Sequence, residues 1–288
     1  MGYKAVIVAA GYGSRLLPVT RVVPKELLPL LNRSALDFLV EELVGAGVTD
    51  ILLISSKRKG ALADFFCHDE ELEQAFLSDG ATEKLRLAQP PKVSVQVVHQ
   101  KTMGGTGHAL LLARDFVGED PFVVAYPDDL FFEGNCTAEL IQAYEQTGCA
   151  VMSASDGAAL GLDLSRYGVL DVDGGGPYPK LQGIVEKPAA GAEPSSLVSW
   201  GRYLFQPSLF DELALGLEQH QGGEYYHIGA ILRLAQQGQV VACPVKCERV
   251  DTGTTSAYAK AFIRVALQDP QEGPDLVRWL REMLDDVC

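Results

Sequence analysis

The sequence lacks the features of several common protein classes. No stretch approaches eighteen consecutive apolar residues, and no basic region precedes the apolar run that starts at Ala5, so neither a membrane span nor a secretory signal is expected. Positive charge is scarce, since 24 Lys and Arg stand against 38 Asp and Glu and give a net charge of −14. Because binding a nucleic-acid backbone needs a basic face, nucleic acid is not an expected partner. Anionic ligands must instead be held at a local basic site.

Cysteine and histidine show no metal-binding pattern. Cys243 and Cys247 are the only close pair among the six cysteines, and no second pair completes a zinc site. This predicts reduced thiols in a cytoplasmic protein. The five histidines have no metal-ligand spacing, and we interpret His108 as structural. No Ser-His-Asp or Cys-His set suggests nucleophilic catalysis.

Two familiar phosphate-binding motifs are also missing. The chain has no Gly-Lys-Ser/Thr, which excludes a P-loop, and Leu16 stands where a dinucleotide fingerprint needs its third glycine. What is present is an apolar run, Lys4–Ala10, that leads into Gly11-Tyr12-Gly13-Ser14-Arg15. Such a turn offers backbone N–H groups to phosphate oxygens, although by itself it can be a simple tight connection.

Pro24-Lys25-Glu26 follows this turn closely and strengthens the functional interpretation. Arg15 supplies a bidentate fork for phosphate, and Lys25 supplies a compact mobile charge. Together these residues predict a site that holds a nucleoside triphosphate.

Strand-like and helix-like segments alternate over the first 155 residues. The pattern predicts an α/β fold with a Rossmann-like, mostly parallel (mixed) sheet flanked by helices. The predicted strands are 5–9, 51–54, 93–98, 122–126 and 150–154, and the predicted helices are 34–46, 69–77, 107–114 and 137–145.

The second half has a different rhythm. Segments 168–172, 183–186 and 197–205 predict β-hairpin structure that is added to the sheet or extends it, and helices are predicted at 208–217, 226–237, 254–267 and 274–287. We expect one domain over 1–288, made up of the parts 1–155, 156–250 and 251–288. The last helix either packs on its own domain or contacts another subunit.

Acidic residues occur at two places where a ligand is expected. The apolar run 122–126 ends in Pro127-Asp128-Asp129, and ligands bind beyond the carboxyl ends of parallel strands. Asp128 can hold Mg²⁺ against a triphosphate, or it can cap the following segment. Asp251, in Asp251-Thr252-Gly253, is a candidate second ligand, but spacing alone does not pair the two aspartates.

Two further segments carry candidate ligand contacts. Gln100 precedes the glycine-rich stretch Gly104–Gly107, and its amide can both donate to and accept from a base edge. In Val185-Glu186-Lys187-Pro188, Glu186 can accept from sugar hydroxyls and Lys187 can pair with a phosphate; a plain surface ion pair is the alternative.

Taken in order, these motifs resemble those of the sugar-1-phosphate nucleotidyltransferase family, and within it the bacterial enzymes that make UDP-glucose. The resemblance runs from Lys4 to the C-terminal helix and includes Tyr167-Gly168-Val169 and Gly201-Arg202-Tyr203. It implies the nucleotide-diphospho-sugar transferase fold, a dimer or tetramer, and Mg²⁺-dependent conversion of UTP and glucose 1-phosphate into UDP-glucose and pyrophosphate. It also implies that 1–155 is a nucleotide-binding half, that 156–250 is a sugar-binding half and that 251–288 holds a metal aspartate and C-terminal helices.

The resemblance also implies residue roles. Arg15, Lys25 and Lys187 would be catalytic, acting on the leaving pyrophosphate, the α-phosphate and the sugar phosphate; Asp128 and Asp251 would bind Mg²⁺. The expected nucleotide-binding residues are Ala9, Ala10, Gly11, Gly13, Gln100 and Gly105. The expected hexose-binding residues are Gly168, Glu186 and Gly201.

One segment departs from the family pattern. Where the family has Gly-Glu-Ile-Gln-Leu-Thr-Asp-Ala, this chain has Gly223-Glu224-Tyr225-Tyr226-His227-Ile228-Gly229-Ala230. We expect this segment to border the sugar pocket, so its departure from the family pattern bears on which hexose is bound. Use of dTTP or another hexose 1-phosphate stays open, as does a regulatory protein that binds sugar nucleotides without converting them.

Overall fold

The computed structural model describes residues 2–285. The strands, in chain order, are β1 Lys4–Val8, β2 Pro29–Leu30, β3 Arg33–Ser34, β4 Asp50–Ser55, β5 Ser94–His99, β6 Phe122–Ala125, β7 Asp129–Phe132, β8 Ala150–Asp156, β9 Gly168–Asp173, β10 Lys180–Glu186, β11 Leu197–Phe205, β12 Val240–Pro244 and β13 Glu248–Asp251.

Helices lie between and after these strands. They are α1 Ala35–Gly45, α2 Ala61–Asp64, α3 Glu70–Ser78, α4 Thr82–Ala88, α5 Thr106–Leu111, α6 Arg114–Val117, α7 Cys136–Thr147, α8 Ser208–Glu218, α9 Ile228–Gln236, α10 Thr255–Gln268 and α11 Gly273–Asp285. Short 3-10 helices occupy Ser14–Leu16, Val19–Arg21, Lys25–Leu27 and Leu164–Arg166.

Within residues 2–285, nine strands form one central sheet in the order β5-β4-β1-β6-β11-β8-β12-β10-β9. The first four of these pair in parallel. Apolar side chains cover both faces of these strands, as expected for a parallel sheet flanked by helices. The predicted α/β class with a mixed sheet is confirmed.

The second half extends this same sheet. Strand β11 runs antiparallel between β6 and β8, and β12 returns parallel to β8. The β9–β10 hairpin completes the edge, with a register shift between Leu181 and Gly183. The predicted hairpin structure is therefore present as part of the central sheet.

The parallel strands determine where the site lies. The carboxyl ends of β1, β4, β5 and β6 lead into the glycine turn, Lys59, the Gln100 loop and Asp128, respectively. Because parallel strands end at one edge of the sheet, these four segments share that edge.

Local predictions failed in two ways. The helix predicted over 107–114 is divided into α5 and α6, because a turn at Leu112–Ala113 redirects the chain and packs Leu110, Ala113 and Val117 against one face of the sheet. In addition, several short elements were not predicted: strands β2, β3, β7, β12 and β13 and helices α2 and α4. Of these, β7 pairs with β13 in a separate two-stranded ribbon.

The C-terminal helix is amphipathic but only partly covered. Leu276, Val277 and Leu280 are half-buried, whereas Trp279 and Leu284 are 53% and 55% exposed. Packing on its own domain therefore accounts for only part of this apolar surface. Val287, the predicted end of the helix, and Cys288 lie outside the described residues. In residues 2–285 we find no helix with the length and apolar character needed to span a membrane.

Candidate active site

The glycine turn after β1 has a defined backbone conformation. Gly13 has a left-handed backbone (φ 69°), and its carbonyl oxygen accepts hydrogen bonds from Thr20 Oγ1 at 2.8 Å and from the Leu16 amide at 3.0 Å. A β-carbon at Gly13 would press against the Thr20 side chain, so both conformation and packing favour glycine. Arg15 follows on a 3-10 helix and is exposed.

A buried lysine, Lys59, stabilises the start of this turn through hydrogen bonds. Lys59 Nζ donates to the Ala9 carbonyl at 2.7 Å and to Glu26 Oε1 at 2.8 Å, and Lys59 and Glu26 are both buried. Burial lowers the pKa of Lys59, against the opposing effect of Glu26. The Ala9 amide also bonds within the protein, to Ile54, so both polar backbone groups of Ala9 stabilise the fold.

Sequence reasoning missed this pair. The available signals were the position of Lys59 after the end of a core strand and the acidic residue directly after Lys25.

The two predicted metal aspartates and Arg15 converge around Gly253. A side-chain carbon at Gly253 would lie 3.0 Å from Asp128 Oδ2, 3.0 Å from Asp251 Oδ1 and 3.6 Å from Arg15 Nη2. Lys25 joins the group, because its Nζ lies 2.6 Å from Asp128 Oδ2. The structure therefore brings together four of the residues singled out in the sequence.

The β7–β13 ribbon brings the two aspartates together. Asp251 pairs with Asp129 across the ribbon, next to Asp128. The Thr252 amide donates to the Asp128 carbonyl at 2.9 Å, and the Gly253 amide donates to Asp251 Oδ1 at 2.7 Å. Asp128 thus does not act as a simple cap for the next segment.

Charge determines the ionisation of Asp128. Burial raises the pKa of this carboxyl, but Lys25 and Arg15 together outweigh burial and leave it below its ordinary value. For Asp129 the balance is reversed: burial raises its pKa, although Arg249 opposes that effect.

Asp129 and Arg249 support the aspartates from inside the protein. Arg249 Nε donates to Asp129 Oδ1 at 2.6 Å, and Arg249 Nη2 lies 3.8 Å from Asp251 Oδ1. Arg249 and Asp251 are two residues apart on β13 and so lie on the same face of that strand. The two-residue spacing of Arg249 and Asp251 could have indicated this arrangement from the sequence, but only if their segment had been predicted to be a strand.

The donor set suits a hard divalent cation that is shared with a ligand. Mg²⁺ is typically bound by one or two carboxylates and completes its shell with water and substrate phosphate oxygens. Asp128 and Asp251 are the two carboxylates available here for such an ion. Over residues 2–285 no group of three or more His, Cys, Asp or Glu side chains is arranged to hold a metal ion by itself.

A small cavity joins most of the predicted nucleotide-binding residues. Its volume is about 150 Å³. It is lined by Val8, Ala10, Gly11, Gln100, Met103, Gly105, Thr106, Ala109, Glu224 and Tyr226. Ala10, Gly11, Gln100 and Gly105 therefore meet here, whereas Ala9 and Gly13 support the turn beside it.

The side-chain amide nitrogen of Gln100 is hydrogen-bonded within the loop that follows β5. Gln100 is buried, and its Nε2 donates to the Gly105 carbonyl at 3.1 Å and lies 3.3 Å from His108 Nδ1. His108 is therefore part of the loop structure, as expected. The Oε1 of Gln100 remains the group that can face a base.

Segment 223–229 packs against residues 104–107, a contact that was not predicted, and its place beside a sugar pocket stays a prediction. The Tyr225 amide donates to the Gly104 carbonyl at 2.7 Å, and the Gly107 amide donates to the Tyr225 carbonyl at 2.9 Å. Gly105 (φ 90°) has no room for a β-carbon there, because the Tyr225 backbone occupies that space. Sequence spacing gave no sign of this contact, which joins segments that are distant in the chain.

The predicted hexose residues form a second group. Glu186 pairs with Gly168 in the β9–β10 hairpin, and its Oε1 lies 3.0 Å from where a β-carbon at Gly168 would be. Lys187 follows Glu186 and has a left-handed backbone conformation (φ 50°). Its backbone amide donates a hydrogen bond to the Tyr167 carbonyl at 2.9 Å. Within residues 2–285, the Lys187 side chain makes no hydrogen bond or ion pair with Asp128 or Asp251.

Gly201 has a structural explanation of its own. Its amide donates to Asp129 Oδ2 at 2.9 Å, and its carbonyl accepts from the Tyr126 amide at 3.1 Å. A side chain at 201 would collide with Asp129 and Tyr126. Contact between Gly201 and a hexose stays a prediction.

The fold and the site define a nucleotide-binding transferase of the α/β class. A family model described as "Nucleotidyl transferase" matches residues 4–267, and the chain belongs to that family.

Relatives and solved structures agree with this assignment. The chain is 36% identical to UTP–glucose-1-phosphate uridylyltransferase 2 of Staphylococcus saprophyticus, over 97% of each chain. A solved structure described as UTP-bound UGPase from Acinetobacter baumannii superposes with a TM-score of 0.87 at 30% identity, over 98% of this chain and 99% of that one. A UDP-glucose pyrophosphorylase complexed with UDP-glucose gives a TM-score of 0.77 at 28% identity, over 91% and 97%.

Proposed function

We propose that this protein transfers a uridylyl group from UTP to glucose 1-phosphate and releases UDP-glucose and pyrophosphate. The observation that carries the proposal is the convergence of Arg15, Lys25, Asp128 and Asp251 near a turn that borders a ring-sized cavity. The names of the relatives support the choice of UTP and glucose.

The proposed chemistry needs no general base. A phosphate oxygen of the sugar 1-phosphate is already ionised near neutral pH and attacks the α-phosphorus of UTP. The protein contributes orientation and charge neutralisation. Lys25 stabilises charge at the α-phosphate, and Arg15 stabilises the pyrophosphate as it leaves.

Asp128 and Asp251 would hold Mg²⁺ on the triphosphate. When bound, the ion neutralises charge on the phosphate oxygens. Lys25, which pairs with Asp128, would be shared between this carboxylate and the nucleotide phosphates.

The hairpin residues would receive the sugar 1-phosphate. Glu186 accepts hydrogen bonds from hexose hydroxyls beside Gly168, and Lys187 pairs with the phosphate. The left-handed backbone of Lys187 supports this role, because strained conformations cluster where a side chain must point at a ligand. Gly201 would act beside this group by keeping space open.

We also propose a cytoplasmic location. Cys136, Cys243 and Cys247 are buried free thiols, and within residues 2–285 no disulfide forms. Free thiols of this kind are typical of a reducing compartment.

The test is pyrophosphate release over a matrix of nucleoside triphosphates and sugar 1-phosphates, with Mg²⁺ and with excess EDTA. We expect the highest kcat/KM for UTP with glucose 1-phosphate, and loss of activity in EDTA. A hydroxyl inverted as in galactose leaves buried polar groups unpaired, so galactose 1-phosphate should be much poorer.

Two results would contradict the proposal. Equal efficiency with glucose, galactose and N-acetylglucosamine 1-phosphates would overturn the glucose assignment. Tight binding of UDP-glucose without any turnover would instead identify a regulatory protein.

A further inference from the structure

Two side chains of the divergent segment line the cavity described above. Glu224 and Tyr226 complete the wall that Gly11, Gln100 and Gly105 begin. Tyr226 is 55% exposed, so its ring lies at the surface while also lining the cavity. The Tyr226 hydroxyl donates to Glu224 Oε2, which links the two side chains.

The backbone on both sides of Tyr226 is fixed. Tyr225 is bound through its amide and carbonyl to the loop 104–107, and its buried hydroxyl donates to the Leu213 carbonyl at 2.9 Å. On the other side, His227 Nδ1 lies 2.7 Å from Thr106 Oγ1. Tyr226 is thus held in a constant position relative to the Gln100 loop.

The size of the cavity limits what it can hold. The cavity is partly open to solvent and has a volume of about 150 Å³, about that of a closed, engineered cavity that binds benzene, a single six-membered ring. A pyrimidine also has one ring, whereas a purine has two fused rings. The second ring of a purine would extend beyond this volume, toward the wall that Glu224 and Tyr226 form.

We propose that Tyr226, tethered by Glu224, closes the nucleobase cavity and excludes purine nucleotides. This inference rests on the proposed function for its ligand, a pyrimidine nucleoside triphosphate. An aromatic ring at the wall also offers a face against which a base can stack, which adds affinity without selecting among pyrimidines. Tyr226 is thus a specificity-determining residue contributed by the segment that departs from the family pattern.

The test compares Tyr226→Ala with the unmodified protein in steady-state kinetics and in calorimetric titrations with UTP and ATP. Loss of the ring should raise the KM and Kd for UTP about tenfold, which corresponds to about 1.4 kcal/mol. The preference for UTP over ATP should fall by about the same factor. The KM for glucose 1-phosphate, and kcat at saturating UTP, should change little.

Matched variants separate the ring from its hydroxyl. Tyr226→Phe keeps the ring and removes the contact with Glu224, so it should still exclude ATP. Leu87→Ala truncates another exposed apolar side chain, on α4, and should leave UTP affinity unchanged. Circular dichroism of each variant verifies that the fold is retained.

The outcomes distinguish this inference from the proposed function. If the unmodified protein uses UTP but Tyr226→Ala keeps the same UTP affinity and the same exclusion of ATP, the role of Tyr226 is overturned and the function stands. If the unmodified protein binds UTP without turnover, the titrations still test Tyr226 while the transfer reaction falls. If it binds no UTP, both are wrong.

Discussion

At the residue scale, the site depends on a few charges that the fold holds close together. Lys25 and Arg15 keep the pKa of Asp128 low despite burial of that carboxyl, so Asp128 is ionised near neutral pH. An ionised, partly buried carboxylate beside a second one is a ready pair of ligands for a divalent cation. Lys25 and Arg15 are also placed to contact the phosphate groups of a nucleotide that binds together with the divalent ion.

The first prediction concerns the two aspartates. Asp128→Asn and Asp251→Asn should each lower kcat/KM by orders of magnitude while the fold survives, because each loses a charged ligand for Mg²⁺. Activity titrated against Mg²⁺ measures this. Asp79→Asn removes an exposed carboxylate at the end of α3 and is the control. Near-normal Mg²⁺-dependent activity in either variant would remove that aspartate from the metal site.

The second prediction separates the two lysines. Lys187→Ala should chiefly raise the KM for glucose 1-phosphate, because Lys187 follows the hexose-side Glu186. Lys25→Ala should lower kcat with both substrates saturating, because Lys25 contacts Asp128. Steady-state kinetics with each substrate varied in turn make the distinction. An unchanged KM for glucose 1-phosphate in Lys187→Ala would be incompatible with the assigned role.

The third prediction concerns pH and His227. Burial lowers the pKa of His227 from 6.5 to about 4. Between pH 6.5 and about pH 4, His227 is protonated in the unfolded chain but neutral in the folded chain. The free energy of unfolding therefore decreases as the pH falls through this range. The shift corresponds to about 3 kcal/mol at its full extent.

Urea unfolding at pH 7 and at pH 4.5 measures this effect. His227→Gln, which cannot take up the proton, should lose less stability over that interval than the unmodified protein. Identical losses in the two proteins would show that His227 does not contribute to the pH dependence.

At the element scale, the β7–β13 ribbon positions the two aspartates that we propose as metal ligands. It carries Asp129 on one strand and Arg249 and Asp251 on the other, and its hydrogen bonds fix their register. Gly201 on β11 donates to Asp129, so the ribbon is also joined to the central sheet. Buried Arg202 on β11 strengthens that junction by donating to Glu42 of α1 at 2.8 Å and to the Asp129 carbonyl at 3.2 Å.

The fourth prediction tests this ribbon. Arg249→Met leaves Asp129 buried without its cation, which should cost about 3–5 kcal/mol in unfolding free energy. The Mg²⁺ concentration for half-maximal activity should also rise, because Asp251 loses the contact with Arg249 that helps to hold its carboxylate in position.

Adding Asp129→Asn should recover part of the stability, because the amide oxygen still accepts from Gly201. Full stability and an unchanged Mg²⁺ requirement in Arg249→Met would exclude a supporting role.

At the scale of the whole molecule, the protein is strongly acidic, and its net charge of −14 repels anions in general. We therefore expect affinity for phosphate compounds to come from local cations, Arg15 and Lys25 beside Asp128 and Lys187 after the β9–β10 hairpin. A second whole-molecule feature is the partly covered α11, whose Trp279 and Leu284 face solvent. The family resemblance predicts a dimer or tetramer, and α11 is a candidate contact.

The fifth prediction is that the protein sediments as a dimer or tetramer and that Trp279→Glu shifts it to smaller species. A charge placed in an apolar interface loses its hydration without gaining a partner. Analytical ultracentrifugation over a range of concentrations provides the measurement, with Leu87→Glu on α4 as the exposed control. A monomer at all concentrations, or an unchanged assembly in Trp279→Glu, would refute this contact.

The sequence by itself determined the local parts of this protein. An apolar strand followed by Gly11-Tyr12-Gly13 predicts the turn, because strand pattern and glycine freedom act over a few neighbouring residues. The charged groups Arg15, Lys25, Asp128 and Asp251 were identifiable by their chemistry and by their positions beside such turns.

Only the tertiary structure decided which of these parts meet. Asp128 lies close to Asp251 because β7 pairs with β13, a pairing that no local sequence pattern predicts. Lys59, which follows β4, donates a hydrogen bond to the Ala9 carbonyl beyond the end of β1. Segment 223–229 lies against the loop 104–107 because Tyr225 bonds with its backbone, not because of any spacing in the chain. Contacts between distant segments depend on packing of the whole core, and the spacing of residues along the chain does not predict that packing.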